Sequence, residues 1–171
     1  VEIDLKGTLI HTRDFMWRLG LNLTHYKNVV TDLPLTDMPV SGVHKLAVGR
    51  SVYDFYMKQW AGVDPENGDP LWYKNVKDAN DKITGRTTTN DYAQADYYYT
   101  GKSSLPKVYG GFNTAFSYKG FELSTIFAYS IGNYIVDRDV TMLWHNGSST
   151  GRAWSTEILN RWTPENRYTD E

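Results

Sequence analysis

The chain has 171 residues and no cysteine, which removes disulfide frameworks and thiolate metal sites and leaves the redox compartment open. Charge of one sign is also scarce. Eighteen basic against 20 acidic side chains leave a net charge of −2 and a pI near 6.1, so the basic footprint that grips a nucleic-acid backbone is missing and nucleic acid is not an expected partner. No apolar run approaches the roughly 18 residues of a membrane helix, and the mean hydropathy is −0.53. A helical membrane protein is thereby excluded, but not a protein that crosses with strands. Phosphate-binding glycine loops, dinucleotide fingerprints and nucleophile elbows are absent, so neither catalysis nor a cofactor is expected.

What is present is aromatic side chains, 15 % of the total, and enough aliphatic residues to fold: Leu, Ile, Val and Phe make up 38 of the 171. Val1 already stands inside an alternating pattern without initiator Met or signal peptide, and Asp170-Glu171 follow a loop-like stretch, so the expectation is a fragment of a longer chain.

The alternation is of period two. Val1, Ile3, Leu5, Gly7 and Leu9 oppose Glu2, Asp4, Lys6, Thr8 and Ile10; after the polar turn from His11 to Asp14, Phe15, Trp17, Leu19, Leu21 and Leu23 oppose Met16, Arg18, Gly20, Asn22 and Thr24. One hairpin is predicted over about 1–26. A second is predicted over about 107–131, with Phe112, Thr114, Phe116 and Tyr118 on one face, the two-residue turn Lys119-Gly120, then Phe121, Leu123, Thr125, Phe127 and Tyr129. The connections are unequal: two short turns, but long stretches over about 27–106 and 137–171. Within the first of these, Ser51 to Trp60 and Pro70 to Val76 read as short strands around the turn from Asp64 to Asp69, whereas Lys82 to Thr100 reads as exposed loop.

Strands of this length, with one apolar and one polar face, short turns at one end and long loops at the other, match the pattern of outer-membrane barrels. Trp17 and Tyr118 fall on the apolar parity beside the short turns, where an interfacial aromatic girdle is expected, and Arg18, Asn22 and Glu122 fall on the opposite parity, facing the lumen. The same alternation would serve a soluble β-sandwich whose loop aromatics hold carbohydrate. The two readings differ in what covers the apolar face.

Four stretches carry a resemblance. Phe15-Met16-Trp17-Arg18-Leu19-Gly20-Leu21-Asn22-Leu23, the loop from Trp60 to Tyr73, Leu105 to Asn113 with its sequel Phe116 to Leu123, and Leu159-Asn160-Arg161-Trp162-Thr163-Pro164 resemble, in this order, the C-terminal barrel region of TonB-linked outer-membrane receptors of the SusC/RagA type. The resemblance implies an all-β fold of antiparallel hairpins, part of a 22-stranded transmembrane barrel with long extracellular loops, in a parent carrying a plug domain that is absent from this sequence. It further implies localisation in the outer membrane of Bacteroidetes-type bacteria, import of glycans or peptides together with a SusD-like surface lipoprotein, and energy from TonB acting through the missing N-terminal part.

Few residues suggest other chemistry. Asp64, Glu66, Asn67 and Asp69 crowd oxygen donors around Gly68 and form a weak calcium candidate, although their spacing is not that of an EF-hand. His11, His25, His44 and His145 lack metal-site spacing. Trp72, Tyr92, Tyr97, Tyr98, Tyr99, Trp144 and Trp154 fall in predicted loops, where aromatic faces stack on sugars, anchor interfaces or simply pack the loops. Substrate-binding residues are not identifiable from the pattern. The tripeptides Asn22-Leu23-Thr24 and Asn146-Gly147-Ser148 match the glycosylation sequon by spacing alone.

Overall fold

A computed structural model describes residues 1–35, 38–145 and 149–169; the second sequon lies outside them. Strands account for 47 % of the chain and helix for 9 %, so the protein is all-β. The strands in chain order are β1 (Glu2–His11), β2 (Phe15–Thr24), β3 (Asp54–Lys58), β4 (Trp60–Val63), β5 (Pro70–Lys77), β6 (Ile83–Thr89), β7 (Tyr97–Ser103), β8 (Val108–Tyr118) and β9 (Phe121–Ile131), followed by one short helix, α1 (Arg138–Leu143). They divide into two compact units, one of residues 1–55 and 101–135, the other of 56–100 and 136–171.

In the first unit β1-β2-β8-β9 form one antiparallel sheet in that order. The two expected hairpins therefore lie side by side as a single meander, with β2 paired directly to β8 across the long insertion. The register lines up the apolar parity row by row: Leu5, Leu21, Phe112 and Phe127 in one, Leu19, Thr114 and Thr125 in the next, Trp17, Phe116 and Leu123 near the turns. Both short turns lie at one end, where the Lys119 amide donates to the Asp14 carbonyl at 3.0 Å. Lys119 and Gly120 take φ of 47° and 89°, the paired positive values of a type I′ hairpin turn that matches strand twist. At the opposite end His25 Nδ1 lies 2.5 Å from the Lys107 carbonyl, holding together the two ends of the insertion.

One detail differs from the alternation. Between Thr8 and Ile10 the register shifts, so Ile10 pairs with Trp17 and Leu9 is the extra residue of a bulge. A bulge reverses the face that later residues present, and it brings Ile10, expected on the polar parity, to the apolar row.

In the second unit β4-β5-β6 form a three-stranded sheet. β3 and β7 pair in a two-stranded sheet of their own, of which residues 54–55 and 101–103 belong to the first unit. The stretch 82–100, expected as exposed loop, instead holds β6, a 3-10 turn at Tyr92–Gln94 and the start of β7. Its polarity concealed two things. The Thr-rich run has β-branched residues that suit an edge strand, and its polar groups bond to β5: the Asp96 carboxylate accepts from the Asn75 amide at 2.7 Å, and the Tyr98 hydroxyl donates to Asn75 Oδ1 at 2.9 Å. Trp72, Tyr97, Tyr98 and Tyr99 accordingly sit on strands rather than in loops. Among the described residues, only Phe55, Ala95 and Tyr98 of the apolar set are buried.

Candidate functional site

The four-stranded sheet has two chemically distinct faces. Its apolar face is open: Leu5, Leu21, Phe112 and Phe127, one complete row, stay 60 %, 38 %, 38 % and 48 % exposed. Among the described residues of the first unit, no second sheet of the kind a sandwich needs is packed on this face. Polar atoms on it are satisfied locally, since Trp17 Nε1 donates to Thr114 Oγ1 at 2.9 Å and the indole stacks on Phe116 at 5.5 Å. Pairing an indole N–H within the sheet removes the cost of leaving a donor unpaired in an apolar medium.

The opposite face carries the three residues expected to line a lumen, and each has a partner. Arg18 on β2 pairs with Glu122 on β9 at 2.8 Å, reaching over Ala115 on the intervening strand, with both side chains about half exposed. Asn22 Oδ1 accepts from the Gly111 amide at 2.9 Å. Around the ion pair runs a polar trough of about 510 Å³ lined by Lys6, Thr8, Arg18, Asn113, Glu122 and Ser124. Behind it, Tyr129 lays its ring over Gly110 and donates to the Asn22 carbonyl at 3.0 Å, a staple across three strands that needs a glycine beneath the ring.

In the second unit the turn from Asp64 to Asp69 uses its oxygens on itself. Asp64 Oδ1 accepts from the Glu66 amide and Asn67 Oδ1 from the Asp69 amide, each at 2.9 Å, while Asp69 Oδ2 receives Asn67 and Asn90 at 3.2 and 2.8 Å. Among the described residues no group of three His, Asp or Glu is arranged to hold a metal ion. His25 and His44 instead contact backbone carbonyls, and His44 stacks on Phe55 at 5.1 Å.

That turn has an unexpected partner. Trp162, 97 residues away, donates from Nε1 to the Pro65 carbonyl at 3.3 Å and covers Gly68, where a β-carbon would stand 2.7 Å from the indole. Two of the four stretches that carry the family resemblance thus dock on one another. Between them lies a cleft of about 490 Å³ whose walls include Trp60, Trp154, Trp162, Asn67 and Arg161. Sequence reasoning placed Trp154 among loop aromatics but saw neither Arg161 nor Trp162 as site residues; no spacing signal joins segments so far apart. Trp144 closes the end of α1 and stays exposed.

Two ring clusters lie in the same unit: Trp60 on Trp72 at 5.7 Å with Trp72 on Tyr92 at 5.2 Å, and Tyr56 against both Tyr97 and Tyr99 at 5.6 and 4.7 Å. Lys58 caps Tyr92 at 4.1 Å and Arg86 caps Tyr98 at 4.1 Å, so several ring faces are already taken. Burial, followed by the Asp96 carboxylate, pushes the Tyr98 hydroxyl above its usual pKa. In the first unit, Lys102 donates to Tyr134 and draws its pKa down.

No family model matches the chain. Among curated proteins it is 28 % identical over 186 residues to the TonB-dependent receptor P26 of Formosa agariphila and 24 % identical over 184 residues to the TonB-dependent receptor P3 of the same organism. Each alignment covers 99 % of this chain and 18 % of the relative, so the chain spans less than a fifth of the receptors it matches. Among solved structures it superposes on the RagAB peptide transporter with a TM-score of 0.80 at 27 % identity, and on the RagAB peptide importer in its "closed-closed" state with 0.83 at 28 %, covering 99 % of this chain and 19 % of those. The open sheet, its two unlike faces and alignments that cover nearly the whole chain converge: the chain is similar, from end to end, to a barrel segment of TonB-dependent receptors of the SusC/RagA type.

Proposed function

We propose that this chain forms part of the wall and loops of an outer-membrane TonB-dependent transporter, importing glycans or peptides together with a SusD-like surface lipoprotein. The observation that carries the reading is the uncovered apolar row Leu5, Leu21, Phe112 and Phe127, backed by a polar, ion-paired opposite face. A face of that kind is stable in contact with hydrocarbon, where backbone groups are satisfied between strands and no long apolar run is needed. Lipid would lie against the apolar rows, Arg18, Asn22 and Glu122 would line the interior, and the stretches 27–106 and 137–171 would stand outside the cell, toward the lipoprotein and its cargo. TonB would act through a part of the parent that this sequence does not contain. The relatives' names support transport and a receptor role, and both structural neighbours are peptide transporters.

Spin labels at Leu21 and Asn22 of the full-length protein in outer-membrane vesicles test this. Leu21 is expected to be accessible to oxygen and protected from a water-soluble nickel relaxant, and Asn22 the reverse. A Leu21 label shielded from both reagents would indicate a closed protein core and favour the β-sandwich binding module.

A further inference from the structure

The cleft of the second unit combines two kinds of recognition chemistry. Trp60 and Trp154 keep 45 % and 46 % of their surface open, whereas Trp162 spends its ring on Gly68. Arg161 lines the same cleft, no carboxylate lines it, and among the described residues the guanidinium makes no ion pair; the hydrogen bonds of Arg161 run through its backbone. Behind the wall His145 lies perpendicular to Trp154 at 5.3 Å and accepts the Ser149 amide on Nδ1 at 3.3 Å, and its buried Nε2 has no partner among the described residues.

Two open indoles beside an uncompensated guanidinium fit a ligand with apolar faces and a negative charge. Sugar rings present C–H faces that lie flat on indole, and guanidinium binds carboxylate or sulfate with paired hydrogen bonds. Strand addition, one route by which an extended acidic peptide binds, is poorly served here, because β4 is four residues long and broken by a register shift beside Gly62 at φ 104°. We propose that this cleft binds an anionic saccharide, with Trp60 and Trp154 stacking its rings and Arg161 pairing with its carboxylate or sulfate. The proposal rests on the importer reading, of which it names the cargo chemistry.

Calorimetric titration of the full-length protein in detergent tests it with four probes: tetragalacturonate, a sulfated carrageenan tetrasaccharide, neutral maltotetraose and tetraglutamate. Binding of at least one anionic tetrasaccharide is expected, with the first two arms telling carboxylate from sulfate. Trp154→Ala and Arg161→Gln should each weaken that binding roughly tenfold or more, and Arg161→Lys less. Arg161 is exposed, so its variants remain informative should Trp154→Ala misfold. Maltotetraose or tetraglutamate binding as tightly as the anionic sugars, no saccharide binding at all, or full binding by Arg161→Gln would each overturn the assignment. None of those results would move the protein out of the outer membrane, so the importer reading stands or falls separately on the label accessibilities.

Discussion

Tyr129 over Gly110 shows how a single missing side chain organises the wall. The phenol crosses the glycine to reach a carbonyl two strands away, and a β-carbon at Gly110 would collide with the Asn22 carbonyl and stand 2.9 Å from the Tyr129 oxygen. Gly7, in contrast, has no atom within 4 Å of where its β-carbon would be. Gly110→Ala is therefore expected to cost about 1–3 kcal/mol of barrel stability, while Gly7→Ala leaves it within roughly 0.5 kcal/mol. Urea titration of the heat-modifiable band of the full-length protein measures both, and equal midpoints for the two variants would contradict the staple. The alternation assigned Arg18, Asn22 and Glu122 to one face, and they share it. It did not reveal that Arg18 and Glu122 pair, because β9 becomes a neighbour of β2 only through the register of β8.

At the level of elements, what was legible followed from period two and turn chemistry. Both hairpins of the sheet are where the alternating parities place them, and Lys119-Gly120 turns as its glycine requires. What escaped was carried by hydrogen bonds between polar partners: β6 and the start of β7 have little apolar alternation, and they are fixed by Asn75, Asp96 and Tyr98. The bulge at Leu9 escaped for another reason, since a single inserted residue leaves the composition of the run unchanged. The two faces make a direct comparison possible. Leu21→Arg, near the middle of β2 on the apolar face, is expected to destabilise the barrel by about 2–4 kcal/mol if that face meets the bilayer midplane. Asn22→Arg, one residue on and facing the other way, should cost markedly less in the same folding titration in lipid vesicles. Equal penalties would argue against lipid on one side and water on the other.

At the scale of the molecule, the sheet leaves β1 and β9 each with an unpaired edge among the described residues, and its apolar rows are exposed. Such edges and patches seek partners. The 171-residue chain produced alone in detergent-free buffer is expected to form large assemblies, eluting in size-exclusion chromatography far ahead of a 19.6 kDa monomer. A stable soluble monomer would show that the sheet finds its own cover. The cleft is the least legible feature at this scale: Trp60 and Trp162 could be read as members of a family pattern, yet only folding brings them together around Gly68 and Arg161.

The contact between His25 and Lys107 has a consequence for how this architecture diversifies. The two ends of the insertion after β2 are anchored about one strand spacing apart by the wall itself, whatever lies between them. For a flexible connection fixed in this way, each doubling of length costs only about 0.6 kcal/mol in closure entropy. The eighty-odd residues between those anchors can therefore change in length at small entropic cost without moving the rows of the wall out of register.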